Sequence, residues 1–319
     1  MLINRFFILK HPILITGAAG FIGSNLARHF VSKGIKVNII IKKTSDIWRI
    51  KKIIKYLNVF YADIGDQKKI KKIIKEIKPK TIFHLAANGA YSDQNDLKKI
   101  KRSILDSTFN LINECKKYKF RTFINTGSSS EYGFKDKAMK ETDRLLPNSY
   151  YSVFKSSATL YCQYESIKSN INITTIRPFH VYGPFERETR LIPTLIRNMN
   201  NKKNIRLVSP NVTRDMIYID DAIEFFLIIA KQKKSRGEIL NLASGKKVTI
   251  KKIYNTLKLI TKYNIKNKWG SMKNRSWDQI IWYANTSYVR RKFNWKPKTS
   301  LKKGLEKTVN WYKEFYDKN

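Results

Sequence analysis

The chain has 319 residues, 42% apolar and 13% aromatic, which is too long for a single core and too apolar for disorder, so two lobes are expected. With 13 Gly, 8 Pro and only Cys115 and Cys162, it is neither collagen-like nor a disulfide framework; with no uncharged apolar run of about 18 residues, a reducing, cytoplasmic setting without a membrane partner is expected. The net charge of +40 reads as compositional bias, because 16 of the 64 basic residues are Arg and the lysines accompany abundant Ile, Asn, Phe and Tyr, so no specific nucleic-acid partner is expected.

Residues 1–10 hold an apolar patch, Leu2–Ile3 and Phe6–Leu9, read as an N-terminal extension: it is too short for a signal peptide and runs straight into a strand. That strand, Pro12–Thr16, feeds Gly17-Ala18-Ala19-Gly20-Phe21-Ile22-Gly23, and a helix follows from Ser24. The spacing is that of a dinucleotide site. Gly17 allows the tight turn, Gly20 lets backbone N–H groups approach a pyrophosphate, and Gly23 lets helix and strand pack closely. Ala19, Phe21 and Ile22 complete the predicted cradle.

A second strand, Lys36–Ile41, ends without the acidic residue that binds the adenosine ribose of NAD; Lys42 and Lys43 stand there instead. A missing carboxylate removes repulsion against a 2′-phosphate, so NADP is favoured over NAD. The third strand, Asn58–Ala62, ends at Asp63-Ile64, where Asp63 either accepts from an adenine amino group or caps the helix from Asp66 onward. In Gln67–Lys78, Ile70, Ile73, Ile74 and Ile77 make one helical stripe and lysines take the solvated face. A fourth strand, Thr81–Leu85, leads to Ala86-Ala87, so Leu85, Ala86 and Ala87 join the cofactor set; His84 is expected to pack near the sheet's end without a catalytic role. Strands and helices alternate, the pattern of a doubly wound parallel sheet.

The fifth strand, Thr122–Thr126, ends in Gly127-Ser128-Ser129-Ser130-Glu131-Tyr132-Gly133, beyond the carboxyl end where such sheets do chemistry. Next, Tyr151 and Lys155 stand at i and i+4 on one helix face. A cation beside a phenol favours phenolate, which makes Tyr151 a usable general acid/base.

Glycine loop, serine loop and Tyr/Lys helix, in that order, resemble the extended short-chain dehydrogenase/reductase family, the NAD-dependent epimerase/dehydratase group that acts on nucleotide-diphosphate sugars. The resemblance continues through Arg177–Pro184, Arg214–Asp221 and Arg275–Asp278. It implies an α/β fold: a Rossmann-type doubly wound parallel sheet over 1–176 plus about 214–245, and a smaller α/β substrate-binding lobe over 177–213 and 246–319. It implies Ser128, Tyr151 and Lys155 as catalytic, with Lys155 also on the nicotinamide ribose. Ser128, Ser129, His180, Arg214, Arg275 and Asp278 would bind substrate, the arginines on its phosphates and Asp278 on its ribose. His180 stands where many members have Asn. The helices expected over 96–118 and 149–169 would pair as a homodimer interface.

Dehydratases of this family carry an acid/base pair just after the catalytic hydroxyl, and here Ser129 and Ser130 occupy those places. The 3,5-epimerase/reductases need a Cys in this loop and a His after the Tyr-Gly-Pro, and here Ser130 and Phe185 stand there. What remains is hydride transfer at sugar C4 with Tyr151 moving the proton. The main expectation is an NAD(P)-dependent 4-ketoreductase; the alternative is a 4-epimerase. A non-catalytic binding protein of the same fold would most readily have lost Ser128, Tyr151 or Lys155.

Overall fold

The computed structural model describes residues 9–91, 93–233, 235–263, 267–272 and 279–317; the expected extension up to residue 8, and the candidate ligands Arg275 and Asp278, lie outside the described residues. The strands begin with β1 (Ile13–Thr16), β2 (Asn38–Ile41), β3 (Asn58–Tyr61), β4 (Thr81–His84), β5 (Thr122–Thr126) and β6 (Ile173–Pro178). Every residue of β1, β2, β4 and β5 is buried. Such continuously buried runs are what parallel strands covered on both faces require. The helices among them are α1 (Phe21–Ser32), α2 (Gln67–Ile77), α3 (Leu97–Lys101), α4 (Ser107–Cys115) and α5 (Tyr150–Lys168), with a π-helical turn at Arg102–Asp106 joining α3 to α4.

The seven-stranded sheet runs Glu238–Leu242, β6, β5, β4, β1, β2, β3. Pairing from β3 through to β6 is parallel. The order reverses between β1 and β4, the switch point of a Rossmann-type sheet, as expected. Helix α2 shows how sequence fixes packing. Ile70, Ile73, Ile74 and Ile77 are buried, and each contributes about 1.5–3 kcal/mol on leaving water. The lysines between them are exposed. Its N-cap is Asp66, whose Oδ1 accepts from the Lys69 N–H at 3.1 Å, so Asp63 is released from the capping role.

The chain divides into two compact units. The first takes the chain up to Gly127, then Tyr150–Ile176 and Glu224–Ile239; the second takes Ser128–Ser149, Arg177–Ile223 and the chain from Leu240 onward. This division differs from the expected 1–176 plus 214–245 against 177–213 plus 246–319. Residues 128–149 belong with the second unit because their polar groups are satisfied there. The Glu131 carboxylate pairs with Arg177, the Tyr132 hydroxyl donates to Asn241 Oδ1 at 2.7 Å, and the Met139 N–H donates to the Tyr283 carbonyl at 3.0 Å.

The second unit contains β7 (His180–Tyr182), α6 (Leu191–Asn200), β8 (Ile205–Arg206), β9 (Thr213–Arg214) and β10 (Met216–Tyr218), then α7 (Ile219–Ala230), which runs on into the first unit. After β11 (Glu238–Leu242) come β12 (Val248–Thr249), α8 (Ile250–Thr261), β13 (Asn267–Lys268), α9 (Ser287–Phe293) and α10 (Leu301–Asp317). Its short strands pair in twos: β10 with β7 and β13 with β8 in parallel, β12 with β9 antiparallel. Tyr132, Met139, Phe179, Ala243, Trp282 and Ala284 form one of its core clusters.

Candidate active site

The glycine turn closes against the end of β4. Gly17 has a φ of +72°, and a Cβ there would stand 2.6 Å from the Ala86 nitrogen. A Cβ on Gly23 would collide with the Gly17 carbonyl oxygen. Gly20 is the α1 N-cap; its N–H donates to the Gly17 carbonyl at 2.9 Å, and no side chain caps the helix. The N–H groups of Phe21, Ile22 and Gly23 therefore open α1 without a capping side chain, and helix termini of this kind bind phosphate. A side chain is sterically barred at Gly17 and Gly23, and the first turn of α1 carries no acidic residue, so these residues fit a dinucleotide pyrophosphate. Ala19 lies in the same turn. Leu85, Ala86 and Ala87 follow β4 at the switch point, where the Leu85 N–H donates to the Thr16 carbonyl at 3.2 Å.

Asp63 follows β3 and organises the neighbouring cations. Its Oδ1 accepts from the Gly65 N–H at 2.8 Å; its Oδ2 lies 3.2 Å from Lys42 Nζ and 3.1 Å from Arg102 Nε. Burial pushes this carboxyl up, but the Gly65 N–H, Lys42 and Arg102 together hold it below the usual carboxylate range. Lys42 is thus already paired, and Ile64 beside Asp63 is buried.

Helix α5 carries Tyr151 and Lys155 in its first two turns. Lys155 is 5% exposed; its Nζ donates to the Thr126 carbonyl at 2.6 Å and lies 5.9 Å from the centre of the Tyr151 ring. The i, i+4 spacing thus places the ammonium beside the phenol and the end of β5. His84, 3% exposed, is held through its ring nitrogens by Thr16 Oγ1 at 2.7 Å and Thr108 Oγ1 at 3.1 Å. Burial, and then Lys155, push its pKa down to about 3, so it packs neutral.

In the second unit, Ser128 caps the short turn Ser129–Tyr132. Its Oγ accepts from the Ser130 N–H at 3.1 Å while its own N–H donates to Glu131 Oε1 at 2.8 Å. Glu131 is wholly buried, and its Oε2 takes both Nε and Nη2 of Arg177 at 2.9 Å. Ser129 Oγ accepts from the Trp282 indole at 3.0 Å. The loop's one carboxylate is therefore tied down and its hydroxyls remain as the polar functions. Neither this ion pair nor the Thr126 anchor has a local sequence signal, although the buried Arg177 opens the Arg177–Pro184 segment.

His180 starts β7, and its Nδ1 is buried without a hydrogen-bond partner among the described residues. Burial, and then Arg214 and Arg190, hold it well below its ordinary value, so it stays neutral. Arg214 ends β9, with Nη1 donating to the carbonyls of Thr213 at 2.8 Å and Gln279 at 2.9 Å. Of the candidate substrate ligands, the second unit thus gathers Ser128, Ser129, His180 and Arg214, while Tyr151 and Lys155 belong to the first.

A 3-2-1-4-5-6 sheet with a glycine turn after β1, a hydroxyl loop after β5 and a Tyr/Lys pair on α5 defines an extended short-chain dehydrogenase/reductase. The chain belongs to the NAD dependent epimerase/dehydratase family, whose sequence model matches residues 13–243. A UDP-glucuronate 4-epimerase of Thermodesulfobacterium geofontis is 28% identical over 313 residues, covering 94% of this chain and 96% of that protein. The solved UDP-glucuronic acid 4-epimerase of Bacillus cereus, in complex with UDP-glucuronic acid and NAD, is 28% identical with a TM-score of 0.85, covering 95% of this chain and 99% of that one. A UDP-glucose 4-epimerase of Thermotoga maritima shares the fold at a TM-score of 0.87 and 22% identity, covering 95% and 99%.

Proposed function

We propose that the chain is a 4-epimerase of a UDP-linked sugar, with UDP-glucuronate the first substrate to test. The observation that carries this reading is the loop after β5. Dehydration needs a free acid and base there, but Glu131 is buried in its pair with Arg177 and the positions before it are serines. Chemistry at C4 through Tyr151 is what this donor set supports. Between the two C4 reactions, the UDP-glucuronate 4-epimerases that match along nearly the whole chain favour the epimerase over the ketoreductase of the sequence reading.

A dinucleotide, when bound, would supply a reversible hydride acceptor. The Gly17–Gly23 turn would hold its pyrophosphate, Asp63 and Ile64 its adenine end, Ala86 and Ala87 its middle, and Lys155 its nicotinamide ribose. NAD rather than NADP is the proposed form. Lys42, one of the two lysines that favoured a 2′-phosphate, is engaged with Asp63, and the Bacillus cereus neighbour holds NAD. Tyr151 takes the proton from the C4 hydroxyl and returns it after the sugar has presented its other face. Ser128 orients the C4 oxygen, and Ser129, His180 and Arg214, with Arg275 and Asp278, hold the sugar nucleotide. The active form is a homodimer formed through α5, whose Val153, Leu160, Tyr164 and Ile167 are exposed along one face, with Phe109 of α4 also exposed.

The test is purified protein with UDP-glucuronate and no added reductant, following its C4 epimer by chromatography, with Tyr151→Phe as control. Epimer formation that disappears in Tyr151→Phe supports the reading. In a parallel assay supplied with reduced nicotinamide and a 4-keto sugar nucleotide, net oxidation of the nicotinamide together with no epimer in the first assay makes the protein a reductase.

A further inference from the structure

The chain changes partners at Asp215. Before it, β9 pairs antiparallel with β12, Arg214 opposite Val248; after it, β10 pairs in parallel with β7, Met216 opposite His180. The residue at this junction is fully buried. Its Oδ1 accepts from the N–H and the Oγ of Ser244 at 2.7 and 2.6 Å. Its Oδ2 accepts from the N–H groups of Gly245 at 2.9 Å and Ala284 at 3.1 Å. Its backbone carbonyl accepts from the His180 N–H at 3.0 Å. One residue thus joins the strand of Arg214, the strand of His180, the turn before β12 and the stretch around Ala284 that leads into α9. All four side-chain bonds come from donors, so a carboxylate fits and an amide, which must present N–H to one of them, does not.

We propose that Asp215 is a positioning residue for the sugar nucleotide: it sets Arg214 and His180 at a fixed spacing, and through Arg214 governs the grip on the diphosphate. This rests on the reading that Arg214 holds that diphosphate. Asp215 never touches the ligand. It acts because a guanidinium fork must meet phosphate oxygens in a defined orientation, and a displacement of about 1 Å forfeits much of that pairing.

The experiment measures binding of UDP and, separately, of NAD by calorimetry, for Asp215→Asn, Arg214→Ala and the double variant. Ser244→Ala, which removes one of the four bonds, serves if Asp215→Asn fails to fold. Asp215→Asn is expected to weaken UDP binding about 10–100-fold while NAD binding stays within about twofold. The double variant is expected to bind UDP no worse than Arg214→Ala alone, because the two act through one contact. Ser244→Ala is expected to weaken UDP about threefold, again without affecting NAD. Additive losses in the double variant, or equal losses of UDP and NAD, overturn the positioning role. If Arg214→Ala leaves UDP binding unchanged, the assignment of Arg214 to the diphosphate fails first and the inference falls with it.

Discussion

The Lys155 ammonium donates to the Thr126 carbonyl at 2.6 Å, so a buried cation is pinned between the end of β5 and the ring of Tyr151. Such a charge favours the phenolate. Replacing Lys155 with Met is expected to lower kcat by about 10²–10⁴ and to move the rising limb of the pH–rate profile to higher pH. Tyr151→Phe is expected to lose activity over the whole range. An unmoved limb in Lys155→Met would separate Lys155 from the proton transfer.

Gly23 has no room for a side chain, because its Cβ would collide with the Gly17 carbonyl. Gly23→Ala is expected to force the glycine turn apart and weaken NAD binding at least about tenfold, or 1.4 kcal/mol. Titration of the purified variant reads this directly. NADP binding to the unaltered protein, measured alongside, is expected to be weaker than NAD; equal or tighter binding would return the preference to NADP.

The ion pair of Glu131 with Arg177 is buried on both sides, 0% and 1% exposed. Breaking it from either side strands a charge, so Arg177→Ala and Glu131→Ala are each expected to cost about 3–5 kcal/mol in denaturant unfolding. The double apolar variant Glu131→Leu with Arg177→Met is expected to recover much of that loss. A single variant that loses under about 1 kcal/mol would show the pair to be dispensable.

These residues mark how far the chain could be read unaided. The strand after Pro12, the glycine turn and the isoleucine stripe of α2 were legible because their signals are local: a continuous apolar run, a fixed glycine spacing, a 3.6-residue period. Tyr151 and Lys155 were legible because one helix turn separates them. Glu131 and Arg177 meet across 46 positions, and the Asp215 bonds reach 29 to 69 positions away, distances at which no periodicity operates. Residues 128–149, expected in the first lobe, group with the second compact unit for the same reason. Tyr132 and Met139 pack in an apolar cluster of that unit, and the buried polar partners of Glu131 and Tyr132 lie there too.

His84 makes stability depend on pH. Its folded value of about 3 lies below the ordinary 6.5, so the unfolded chain takes up a proton first as pH falls. The contribution is complete above about 6.5 and is lost toward 3, at up to about 1.4 kcal/mol per pH unit. In urea titrations from pH 7 to 4, His84→Gln is expected to show a shallower fall than the parent. Parallel curves would exclude His84 as a source of acid sensitivity.

The exposed stripe on α5 predicts the response of the proposed dimer. Leu160 is 58% and Ile167 70% exposed, positions where a charge costs the isolated protomer little. Leu160→Glu and Ile167→Lys are each expected to raise the dimer dissociation constant about 10–100-fold, read by light scattering across a dilution series. A monomeric parent protein would remove the dimer from the functional reading.

The compact units are interleaved along the chain, and this sets a schedule for biosynthesis. The unit that carries the glycine turn also needs Tyr150–Ile176 and Glu224–Ile239, so it has all its parts only once Ile239 has been made. Until then the hydrogen-bonding edge of β6 waits for a neighbour that the ribosome has yet to deliver, and contacts of such long separation form slowly. A nascent chain stalled before residue 238 would therefore hold an unfinished sheet, and over that interval its solubility would rest on chaperones and on its own dense coat of lysine.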